Sequence, residues 1–231
     1  MRRALGWATM LVAVALALAA CDGPVTEASP RAEVTATLEV SATPEEAVRR
    51  LLAALDEGRF DTAAGLVPAG QWSLVALAEG AELGDVADVY ASGGLEVGTN
   101  FWAGFTSGVS DTLGAGPGAL RIGEVRRFGA GGRSFAEVSV FQANDASFRR
   151  IVTIEEDGGW AVDVVASFAE ALVPRLAQEA DKVLSTVGRD ASTVLEALRE
   201  AEPSFRAVAS LDGVSPELLQ AAVIAVEAIT R

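Results

Sequence analysis

From Arg121 to Val165 the apolar residues fall at alternate positions, and from Ser167 to the C-terminus they fall three and four apart. A period of two sends successive side chains to opposite faces of a strand, whereas a period near 3.6 lines them up along one side of a helix. A chain that does first one and then the other, without interleaving them, is α+β: its strands pair with one another and its helices gather beside the sheet. Four strands are expected. Arg121–Phe128 leads through "GAGG" to Ser134–Gln142, which puts Phe135, Glu137, Ser139 and Phe141 on one face and Ala136, Val138 and Val140 on the other. Phe148–Glu155 leads through "EDGG" to Trp160–Val165, with Trp160, Val162 and Val164 on one face. Connections this tight make the sheet an antiparallel meander.

Helices flank this block on both sides. "TPEEAVRRLLAALDEG" carries a capping box, with Thr43 at the N-cap, Pro44 after it and Glu46 at the third position. Val48, Leu51, Leu52 and Leu55 make its stripe, Gly58 ends it, and Asp61 opens a short second helix to Leu66. Residues 69–118 are less regular. Gln71–Glu79 is expected to be helical, Val86–Tyr90 fits a strand or a helix, and Asn100–Leu113 reads as a helix bearing Phe101, Trp102, Phe105 and Val109. "GAGPG", at 114–118, is a loop. Beyond the meander, Ser167 with Glu170, Asp190, and Ser215 with Pro216 open three helices. The last presents Leu218, Leu219, Ala222, Val223, Val226 and Ile229.

The N-terminus gives an address. Arg2 and Arg3 precede 17 uncharged residues, Ala4 to Ala20, shorter than the roughly 20 that a membrane span needs and typical of an export signal. Leu18, Ala19 and Ala20 before Cys21 resemble the bacterial lipobox, in which the cysteine is lipidated and becomes the first residue of the mature protein. Residues 1–20 then read as the lipoprotein signal peptide and 21–42 as the lipidated cysteine and a flexible tether rich in Pro, Thr, Ser, Ala and Glu. The folded body divides at 43–166 and 167–231. Its expected place is the cell membrane, held by the lipid and facing the periplasm or the extracellular side. An uncleaved anchor and a chance cysteine after an ordinary signal are the weaker alternatives.

Helix, short helix, irregular stretch and meander together resemble the nuclear transport factor 2-like superfamily of cone-shaped α+β domains. The residues that carry the resemblance are "AVRRLLAALDEGRFDTAAGLV" (47–67) and "IVTIEEDGGWAVD" (151–163). It covers residues 43–166 and implies N-terminal helices packed on a curved antiparallel sheet, with 167–231 as a helical extension. Two departures stand out: the early strands of the cone are not visible in 69–118, and the last helices have no counterpart in the minimal fold.

Function is constrained mostly by exclusion. With 32 acidic against 18 basic residues, the chain has a net charge of −14 and would be repelled by nucleic acid. It contains no histidine and one cysteine, so Ser-His-Asp, Cys-His and zinc constellations are ruled out, and no cofactor motif occurs. Glu79, Glu82, Asp85 and Asp88 drift around a helix and do not converge on a metal; they read as a solvated face. The glycines at 114, 116 and 118 precede a strand, not a helix, which argues against a phosphate loop. Enzymes of the resembled superfamily place an acidic base and a proton donor in the cone. The corresponding candidates here are Tyr90, Asp111, Glu137 and Asp163, although Glu137 and Asp163 read more simply as the solvent side of amphipathic strands. Phe101, Trp102 and Phe105 are candidates for lining a pocket, though such a stripe is more often core. The expected function is a non-catalytic binding or interaction module that engages a small apolar ligand or another envelope protein. An isomerase or cyclase-like enzyme is the alternative, and a structural spacer the third reading.

Overall fold

A computed structural model describes residues 38–142 and 148–230; Cys21, the lipobox and the signal lie outside the described residues. The fold is α+β. Helix α1 (Pro44–Asp56) begins as expected, with Thr43 Oγ1 accepting from the Glu46 N–H at 3.2 Å and Glu46 accepting from the Ala42 N–H at 3.1 Å. After α2 (Phe60–Gly65) come α3 (Gly70–Ala78), α4 (Leu83–Ser92) and α5 (Leu95–Leu113). The sheet follows as β1 (Leu120–Ala130), β2 (Arg133–Gln142), β3 (Phe148–Glu156) and β4 (Gly159–Asp163), an antiparallel meander in the order β1-β2-β3-β4. A short α6 (Val164–Ser167) leads into α7 (Ala169–Ser185), α8 (Arg189–Glu200), α9 (Glu202–Val208) and α10 (Pro216–Ile229).

Both faces of the sheet are covered. α1 touches all four strands, and Ala47 packs with Ala136, Trp160 and Val125. The register places Glu137 opposite Arg126 on β1 and Val152 on β3, with Asp163 next across on β4, so these four share the other face. α9 and the segment after it close over that face: Ser204 reaches Asp163, and Arg126 reaches the Ser210 carbonyl. Glu137 and Asp163 are therefore buried, at 6% and 0% exposure. The expectation that they lie on the solvent side is corrected, because a layer supplied far downstream covers them.

Residues 86–90, which fit either a strand or a helix, are helical, within α4. Two further expectations change. The last strand stops at Asp163 instead of Val165, and Asp163 caps α6 by accepting from the Ala166 N–H at 2.8 Å. Ser167 caps no helix; its hydroxyl bonds the backbone of Val152. α3 shows no clear stripe because Gln71 to Ala78 are buried on every side, as expected of a helix in the middle of a core. The loop at 114–118 folds onto α1. Asp56 accepts from the Gly118 N–H at 3.0 Å, and a Cβ on Gly118 would stand 2.4 Å from that carboxylate, so a larger residue there would make the carboxylate swing away.

Candidate functional site

The interval between α1 and the sheet is where a cone would hold a ligand, and here it is filled by side chains. Val48, Leu51, Leu52 and Leu55 from α1 and Val138, Ile151 and Val162 from the strands are all buried in one continuous cluster. That cluster extends through α3 into α7, α8, α9 and α10. Among the described residues a small recess lies elsewhere, where the chain enters the body. It is lined by Leu38, Ala64, Val67 and Leu95 and has a volume of about 10 Å³, room for one water.

Asp163 is the most deeply placed acid. Its Oδ2 accepts from the Ser204 hydroxyl at 2.6 Å and its Oδ1 from the Ala166 N–H. Gln71 of α3 stands beside it and accepts from the N–H groups of Val164 at 2.7 Å and Val165 at 3.3 Å. Burial pushes the Asp163 carboxyl above its ordinary value; bonds from Ala166, Ser204 and Gln71 pull the other way, and the charge of Glu156 adds to the rise. Loss of solvation is the largest of these effects. Three parts of the chain, α3, β4–α6 and α9, thus meet on one buried carboxyl. Gln71 and Ser204 escape sequence reasoning, although a glutamine inside an otherwise apolar helical run was a visible signal.

Glu137 lies in the same cross-strand row and is held by two arginines, Arg126 at 2.6 Å and Arg150 at 3.3 Å. Arg150 also donates to the Asp212 carbonyl at 2.7 Å. This arrangement fastens the segment after α9 to the sheet.

Phe101, Trp102 and Phe105 do come together, joined by Trp72 and Phe168. Ring centroids stand 5.0 Å apart for Phe101–Trp102, 5.5 Å for Trp102–Phe105 and 5.9 Å for Trp102–Phe168, mostly edge to face, the favoured aromatic geometry. α5 reaches this cluster because Gly98 lets it approach: a Cβ there would lie 2.6 Å from the Trp72 ring. Phe168, like Trp72, is a ring that the helical stripe alone does not reveal. Tyr90 is not among these residues. It donates to Glu200 at 2.8 Å, tying α4 to α8, and burial together with the bond and charge of Glu200 raises its phenol above the ordinary value. Asp163 belongs to the seam under α9. The five residues expected at one pocket therefore occupy three places.

Asp111 is exposed on the last turn of α5. Among the described residues no cluster of His, Cys, Asp or Glu could hold a metal, and no helix is long and apolar enough to cross a membrane. No family model, no curated protein and no solved structure matches this chain.

Proposed function

We propose that this chain is a lipid-anchored protein of the bacterial envelope whose folded body is a non-catalytic binding module. The anchoring part rests on the Leu18-Ala19-Ala20-Cys21 run behind a short charged-then-apolar segment. The binding part rests on one observation above all: the interval between α1 and the sheet is packed with side chains, while the buried acid Asp163, on the opposite face of the sheet, is used as a helix cap and as the anchor of α9. An acid whose two oxygens already accept from the Ala166 N–H and the Ser204 hydroxyl is poorly placed to take a proton from a substrate.

The cone-like description belongs to the same proposal. A helix lying across all four strands of an antiparallel meander supports it, while the wholly helical run from α3 to α5 departs from the superfamily's early strands. The raised carboxyl of Asp163 favours the isomerase-like alternative, and the hydrogen bonds that occupy it weigh against it. The test is photo-crosslinking of the full chain in cells of the producing type, followed by mass analysis. Adducts to a small molecule or to a second envelope protein support the reading. A membrane-anchored chain with no adduct, or one that turns over a ketone-bearing substrate, would overturn it.

A further inference from the structure

Among the described residues four large apolar side chains are exposed: Leu184 at 36%, Val187 at 100%, Val223 at 45% and Ile224 at 38%. Single exposed aliphatics are ordinary, but a group of them marks a surface with a use. All four belong to one helix pair. Leu184 lies in the last turn of α7, Val187 follows it, and Val223 and Ile224 lie in α10; α7 and α10 pack on each other more extensively than any other two helices. The usual sorting is reversed on α10. It turns Leu218, Ala222, Ala225, Ala228 and Ile229 to the body, mostly small residues, and leaves the larger Leu219, Val223, Ile224 and Val226 half-buried or exposed. A helix that only covered a core would carry charge on its outer side. Between Glu217 and Glu227 there is none, and Gln220 is the one polar residue there.

The size of this surface selects what can cover it. The four exposed side chains offer on the order of 200 Å² of apolar area, about a quarter of the 800 Å² or so that each partner gives to a stable protein interface. A second copy or a soluble protein held by this area alone would fall away, whereas a surface already kept close by a tether needs less. Cys21 and Leu38 are 17 residues apart, a span of at most about 60 Å. A body of this size is about 40 Å across, so a lipid at Cys21 lets any of its faces meet the bilayer. With 14 residues α10 is too short to cross a bilayer, which takes about 20, but it can lie along one. We infer that α10 and the end of α7 form a docking face for an uncharged or zwitterionic bilayer surface, with Leu219, Val223, Ile224 and Val226 at the boundary between headgroups and acyl chains. An anionic surface is the poorer fit, because α10 carries Glu217 and Glu227 and the chain is −14 overall. The inference rests on the lipid-anchored reading and says how the body sits once anchored.

The test uses the full chain held on phosphatidylcholine vesicles through Cys21, by its own lipid where the isolated protein carries one and otherwise by a maleimide headgroup, Cys21 being the only cysteine. A phosphatidylcholine with a diazirine in its acyl chain is photolysed and the adducts are mapped by mass analysis. Adducts should concentrate in residues 216–229 and be scarce on the exposed edge strand β1. Changing Val223→Asn and Ile224→Asn together should lower the yield about tenfold, and replacing part of the lipid with phosphatidylglycerol should lower it at low salt. If the variant does not fold, the adduct map of the unaltered chain decides. Adducts spread evenly over the body, a yield that grows with anionic lipid, or an α10 free of adduct in a chain that is dimeric in solution would overturn the inference. Intact mass tests the anchor separately: a chain without lipid ends that reading, and the maleimide-coupled chain still decides the docking face.

Discussion

Removing the Asp163 carboxyl should be among the most damaging single changes in this chain. Asp163→Ala deletes the cap of α6, a loss of about 1 kcal/mol. It also leaves the Ser204 hydroxyl buried without its acceptor, which costs a further 1–3 kcal/mol or so. The sum is about 3 kcal/mol, a large share of a typical domain's stability. Asp163→Asn keeps an oxygen for the Ala166 N–H and turns an amide N–H toward Ser204, so it should cost less than about 1 kcal/mol. The carboxyl and its amide replacement also differ in pH dependence. Because burial raises the folded-state value of Asp163, the unfolded chain releases this proton first as pH rises. Stability then falls between the ordinary carboxylate value and the folded-state value, and is constant outside that window. The amide introduced by Asp163→Asn does not titrate. The stability of the unaltered chain relative to Asp163→Asn should therefore decline as pH rises above about 4. Urea unfolding followed by tryptophan fluorescence at several pH values measures both effects. An Ala variant within about 0.5 kcal/mol of the unaltered chain, or a relative stability that climbs with pH, would refute the reasoning.

Glu137→Ala strands Arg126 and Arg150. It should cost about 2–3 kcal/mol, below the figure for fully buried pairs because both arginines retain some solvent contact; hydrogen exchange should rise in residues 209–214, whose backbone those arginines hold. Gly118→Ala makes the Asp56 carboxylate swing away from the Gly118 N–H and should cost about 1 kcal/mol; little further loss should follow when Asp56→Ala is added, as a double-mutant cycle would show. Cys21→Ala should leave unprocessed precursor and abolish acyl labelling; a processed and labelled variant would remove the lipid-anchor reading.

The meander was legible because its signals are local. Alternation marks the strands, and Gly-rich turns fix where they reverse. Helix α1 was legible for the same reason, since its cap, stripe and stop lie close together, between Thr43 and Gly58. What the sequence hid depends on distant partners. Val164 and Val165 continue the apolar, β-branched pattern of β4, and the strand ends because Gln71, from α3, takes their N–H groups. Alternation alone assigns Glu137 and Asp163 to the outward face, and only α9 makes that face an interior one. α3 lacks a stripe because every side of it is buried, and α4 was ambiguous because Val86 and Val89 suit a strand as well as a helix. At the candidate site, three aromatic residues at helical spacing were legible as a group. Phe168 was not, because the ring packing is not written in residue order.

The most direct test of the account is native mass spectrometry of the full chain extracted from the membrane fraction of the cells that make it. The account predicts a chain beginning at Cys21, heavier by its lipid, and carrying a neutral apolar molecule or a partner protein. A chain that still begins at Met1, or one with a free Cys21 thiol and nothing bound, would contradict it.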